Sequence, residues 1–157
     1  MPTNRATFPP VRAEAERRAY ALLLDEKDQL MLCGSCCGGW TVPQFPVDPN
    51  VDFRAATTQF LSAMFQIENP RYGSLHGIHA TSDEECWERD SPTISQAFIV
   101  RIDARESASF LAASPSHARW SARELAQHRR MISPEGVILL TLGYIEGWLP
   151  DGPISLR

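Results

Sequence analysis

Apolar positions along the chain change their spacing from segment to segment, and the spacing predicts the elements. Glu16 to Asp25 (ERRAYALLLD) becomes fully apolar, Glu26 to Asp28 is polar, and Gln29 to Cys33 is apolar again. Two short apolar runs around a polar turn predict a strand hairpin. A glycine-rich stretch, Gly34 to Gly39, then leads to Trp40. Beyond it the period lengthens: Phe53, Ala56, Phe60, Met64 and Ile67 recur at three- and four-residue intervals, which predicts a helix over residues 51 to 65. Asp48-Pro49 supplies its expected cap and first turn. Tyr72 to Ala80 and Thr93 to Asp103 (TISQAFIVRID) predict strands on either side of a polar loop, Thr81 to Pro92. His117 to Leu125 (HARWSAREL) predicts a short strand ending in Trp120. Ser121-x-x-Glu124 then forms a capping box that starts a short helix. Finally, Ser133-Pro134-Glu135 is the expected cap of a helix running through Val137, Leu140, Tyr144 and Trp148 to the stop at Pro150.

The 157 residues suit one domain with a real core. The expected organisation is a flexible arm over residues 1 to 13, a single α/β domain over 14 to 150, and a tail over 151 to 157. With 43% hydrophobic and 22% charged residues, the composition is that of a soluble globular protein. A net charge of −4 lacks the basic footprint of a nucleic-acid binder, so no nucleic-acid partner is expected. No apolar run reaches the length of a membrane span, and Met1 to Pro10 has no signal-like apolar core. A cytoplasmic protein without a membrane partner is therefore expected.

Trp40 to Ile67 (WTVPQFPVDPNVDFRAATTQFLSAMFQI) resembles the box of the Nudix, or MutT-like, hydrolase superfamily. That box reads Gly, five residues, Glu, seven residues, Arg-Glu-U-x-Glu-Glu-x-Gly-U, with U bulky and aliphatic, after a Trp-x-x-Pro lead-in. Placed without gaps it runs from Phe45 to Ile67. Trp40 and Pro43 match the lead-in, Ala56 a common small position, and Leu61 and Ile67 the aliphatic ones. The chemical positions do not match: Phe45 and Gln66 replace the glycines, Val51 the first glutamate, Gln59 the arginine, and Phe60, Ala63 and Met64 the helix carboxylates. A plain amphipathic core helix would share the apolar spacing. The resemblance gains its weight from the order of elements between Arg17 and Leu149, including the late Trp120 with its short helix and the closing helix. It implies an α/β/α sandwich (α+β in content) with a mixed sheet.

In the Nudix box, carboxylates one helical turn apart share a hard divalent cation, which bridges diphosphate oxygens and prepares the attacking water. Here that face is apolar. The resemblance therefore implies no metal, no cofactor and no Mg-dependent diphosphate hydrolysis. What it leaves is a cleft for a small apolar or aromatic ligand, or a protein partner, with Trp40, Phe45, Phe60, Met64 and Trp87 as candidate binding residues. A homodimer is expected too, since many relatives form one.

Two alternatives remain open. One is a divergent hydrolase of nucleoside diphosphate derivatives, holding Mg or Mn through carboxylates outside the box: Asp48, or Glu84 and Glu85 in the acidic run DEECWERD. The other is an enzyme of another reaction class with a cysteine (Cys33, Cys36 or Cys37) or His79 in acid-base work, as in the type I isopentenyl diphosphate isomerases, with which the chain shares no diagnostic run. Such a cysteine needs a lowered pKa or a nearby base. Cys33-x-x-Cys36-Cys37 with His76, His79 and Cys86 also invites a zinc reading. Its spacing is no recognised finger, and on a strand His76 and His79 would face opposite ways.

Overall fold

The computed structural model describes residues 16–35, 38–81 and 93–156. Strand β1 (Glu16–Leu24) lies in the middle of the sheet because its second half is apolar on both faces, the pattern of a strand covered on both sides. It pairs in parallel with β6 (Thr93–Arg101), in register from Glu16 opposite Thr93 to Leu24 opposite Arg101. It is also antiparallel to β2 (Leu30–Gly34) and to the short β4 (Gln44–Pro46). Outside β2 lie β3 (Trp40–Thr41) and β7 (His117–Trp120), both antiparallel to it. On the other side, β5 (Arg71–Thr81) runs antiparallel to β6, and β8 (Gly152–Ser155) completes the open mixed sheet in parallel with β5.

Side-chain alternation sorts the strands into two cores. Leu22, Leu24, Leu30, Leu32, Ala97 and Ile99 face one side, where α3 (Ala122–Gln127) contributes Leu125 and α4 (Glu135–Glu146) contributes Val137, Ile138 and Leu140. Ala19, Ala21, Leu23, Met31, Phe98 and Val100 face the other, against α1 (Phe53–Phe65) and α2 (Ala104–Ala113). The result is the expected α/β/α sandwich. No helix among the described residues is long and apolar enough to cross a membrane.

Several local expectations change. Asp52, not Asp48, caps α1: its side chain accepts from the Ala55 N–H at 2.9 Å. Residues 104–113, over which the sequence reading names no element, form α2 behind an Asp103/Glu106 capping box. The Ser121/Glu124 box stands as expected at α3. Helix α4, however, has Pro134 as its N-cap without any side-chain bond, and it ends at Gly147 (φ 72°) rather than running through Trp148. The stretch expected to be a tail contains β8, where Leu156 donates its N–H to the Ile78 carbonyl at 2.8 Å.

Candidate functional site

Helix α1 (FRAATTQFLSAMF) contains no acidic residue. Its hydroxyls are engaged: Thr57 bonds the Phe53 carbonyl at 2.8 Å, Thr58 meets the Tyr72 hydroxyl at 2.7 Å, and Ser62 bonds Glu68 at 3.0 Å. Phe53, Thr57 and Leu61 point into the core. Phe60 lies flat on Phe45, with ring centroids 4.2 Å apart and planes 17° from parallel. Phe65 meets Phe60 edge-on at 5.8 Å and Phe110 at 5.1 Å, and Phe110 stacks on His117 at 4.1 Å. A ladder of rings thus runs from β4 to β7. Met64 stands outside it, 61% exposed, and Gln59 and Ala63 also face solvent.

The loop before α1 is held by Arg17, whose guanidinium donates to the Asp48 carbonyl and, at 2.8 Å, to that of Val51. The same group lies 4.2 Å above the Phe53 ring. A hard divalent cation needs several oxygen ligands, carboxylates foremost. An aromatic stack, a thioether in solvent and hydroxyls already bonded do not make that donor set, so the residues of α1 do not fit Mg or Mn.

The opposite face of the sheet carries a broad concavity. A cleft of about 680 Å³ opens between the glycine-rich loop, β3, β4 and the segment before α4, lined by Tyr20, Trp40, Thr41, Gln44, Met131 and Ser133. Past Tyr20 and Pro134 it is adjoined by an apolar pocket of about 200 Å³ between Ser95, Ala97, Val137 and Leu156. Its walls are tied together. Ser133 donates its N–H to the Trp40 carbonyl at 2.9 Å, and Thr41 Oγ1 donates to the Ser133 carbonyl at 2.8 Å. Gln44 Nε2 donates to Thr41 Oγ1 at 2.8 Å, and Arg18 donates to Gln44 Oε1 at 3.2 Å. Trp40 leans on Trp120 with centroids 5.3 Å apart.

The sheet thus separates the sequence candidates. Trp40 lines the cleft on the α4 side, while Phe45 and Phe60 stack on each other on the α1 side. Met64 lies exposed on α1, and the Asp48 backbone anchors the preceding loop. Cys36, Glu84, Glu85 and Trp87 lie outside the described residues, as do Cys37, Cys86 and the side chain of His79. Cys33 is half-buried beside the α1-side core, and burial pushes its thiol up to about 11, the reverse of what a nucleophile requires. His76 stacks on Phe98, with centroids 5.9 Å apart. Among the described residues no three His, Cys, Asp or Glu side chains gather as a metal site would require. Sequence reasoning missed Tyr20, Gln44, Ser95 and the Ser133-Pro134 segment. Tyr20 and Ser95 did leave a signal, being polar-bearing residues at positions of otherwise apolar strands that face the same way as Leu22 and Ala97.

No family model matches the sequence, and no curated protein does. Solved structures do match. A mutT/nudix family protein from Listeria innocua is 12% identical, with a TM-score of 0.62 over 87% of this chain and 96% of that one. The C. elegans Ap4A hydrolase is also 12% identical, with a TM-score of 0.60 over 84% and 98%. A NUDIX hydrolase from Nitrosomonas europaea is 10% identical, with a TM-score of 0.59 over 92% and 81%. The chain therefore has the Nudix fold; at such identities the likeness is one of fold.

Proposed function

We propose that this Nudix-fold protein is a binding module that does not hydrolyse diphosphates, and that a small apolar or aromatic molecule occupies the cleft on the α4 side of its sheet. The observation that carries the first half is the Phe45–Phe60 stack at 4.2 Å. In the gap-free placement of the Nudix box, Phe60 stands at a helix carboxylate and Phe45 at the first glycine. In that placement a carboxylate position and a glycine position meet in one apolar contact, which supports a box without its metal chemistry. A bare diphosphate brought there would lose its hydration without gaining a compensating cation. The ligand half is supported by the cleft, where Trp40 and Tyr20 offer ring surface and Gln44, Thr41 and Ser133 offer a few fixed polar groups, the usual make-up of a small-molecule site.

The test is a phosphate-release screen over nucleoside diphosphate derivatives with Mg and Mn. The expected result is no turnover above the buffer rate for any compound. Release at ordinary enzymatic turnover would overturn the reading. Loss of that activity on replacing Asp48, Glu84 and Glu85 together would assign it to carboxylates outside the box.

A further inference from the structure

Helix α4 begins without a side-chain cap, because its N-cap is Pro134, and among the described residues no side chain caps its first turn. The N–H groups of Glu135, Gly136 and Val137 have no acceptor within the helix. These three residues line the inner pocket of about 200 Å³. A helix N-terminus carries roughly half a positive charge, and its free N–H groups suit an anion.

A second observation comes from β6, far away in sequence. Ser95 is 5% exposed and lines the same pocket. Its hydroxyl has no hydrogen-bond partner among the described residues. No fully sealed side-chain oxygen among those residues lacks a partner, so the Ser95 hydroxyl opens into the cavity. A hydroxyl that opens into the cavity keeps its donor available to an acceptor bound there.

The surroundings select the rest of the ligand. Between Ser95 and the helix end the walls are Tyr20, Ala97, Val137 and Leu156, which suit hydrocarbon or a small ring. Arg18 is the register neighbour of Ser95 on β1. Glu135, the one acidic side chain at the helix end, pairs with Arg129 at 3.4 Å, which offsets its repulsion of an anion.

The geometry points to a carboxylate site: a small carboxylic acid whose anionic head accepts from the first-turn N–H groups of α4 and from the Ser95 hydroxyl, and whose apolar body fills the slot beside Tyr20 and Ala97. This rests on the reading of the cleft as a ligand site and names its ligand class.

The experiment is an amide-resolved NMR titration of the full chain at pH 7 with benzoate and butyrate, against benzamide and butyramide as uncharged counterparts. At least one acid should give saturable downfield shifts at the Gly136 and Val137 amides and bind at least tenfold more tightly than its amide. Ser95→Ala should weaken that binding at least fivefold with an unchanged Tm. Gly136→Pro, which removes one of the first-turn donors that have no partner within the helix, should weaken it likewise. Equal binding of acid and amide, shifts centred elsewhere, an unaltered affinity in Ser95→Ala, or no saturable shift with either acid would each overturn the proposal. Binding of the amides alone would leave the wider ligand reading standing and sink only the carboxylate class. Diphosphate hydrolysis in the separate screen would sink the non-hydrolytic reading and leave these shifts untouched.

Discussion

Phe60 and Met64 sit one helical turn apart on α1, yet one is stacked on Phe45 and the other is 61% exposed. Their substitution costs should differ accordingly. Phe60→Ala removes a stacked ring and its edge contact to Phe65, and should lower stability by about 2–3 kcal/mol in urea denaturation. Met64→Glu should stay within about 0.5 kcal/mol of the parent, as exposed substitutions do. The sequence placed both residues on one apolar stripe; the stripe that is buried runs through Phe53, Thr57 and Leu61. Thr57 was invisible as a core residue because it is polar, but its hydroxyl is satisfied by the Phe53 carbonyl of its own helix, which removes the burial cost. Cys33 gives a pH signature. Burial raises its thiol to about 11, above the ordinary value of about 8.5, so the folded state holds the proton more tightly than the unfolded one. That contribution is complete below the unfolded value and is lost as pH rises towards 11. Urea titrations between those values should show a smaller alkaline loss of stability in Cys33→Ala than in the parent.

Among the elements, α2 illustrates how a strong strand signal hides the helix behind it. TISQAFIVRID reads as one strand to Asp103, yet β6 ends at Arg101 and Asp103 caps the next helix together with Glu106. The capping box was present in the sequence at the spacing that should have revealed it. Asp103→Ala should therefore cost about 1 kcal/mol. The same measurement separates the two aspartates before α1. Asp52→Ala should cost about 1 kcal/mol because its carboxylate takes the Ala55 N–H. Asp48→Ala should be near neutral, since it is the Asp48 carbonyl that Arg17 holds. Proline before Glu135 was a sound marker of where α4 starts, whereas the cap expected from Ser133 is absent, because that residue is tied to β3 through its N–H and carbonyl.

For the whole molecule, the order of strands and helices between Arg17 and Leu149 was legible except for α2 and the short β3 and β4, because apolar period, turns and caps act locally. The cleft was not. Its lining is drawn from β1, β3, β4, β6, α4 and the residues before α4, and no local pattern announces that such distant positions converge. The last strand was missed for the same reason: β8 has two apolar side chains, Ile154 half-buried on the strand and Leu156 just after it, and only contact with β5 and α4 makes it a strand. Leu156 lies so close to Gly77 that a Cβ there would stand 2.6 Å from it. Deleting residues 151–157 should thus cost about 2–3 kcal/mol by the area these two side chains bury, read by thermal and urea unfolding.

Mn2+ titrated into the isotopically labelled protein, with paramagnetic broadening followed amide by amide, probes whether the apolar face of α1 in this Nudix fold holds a metal ion. No saturable broadening of Phe60 to Gln66 is expected up to millimolar Mn2+. Stoichiometric broadening centred on those amides would contradict it.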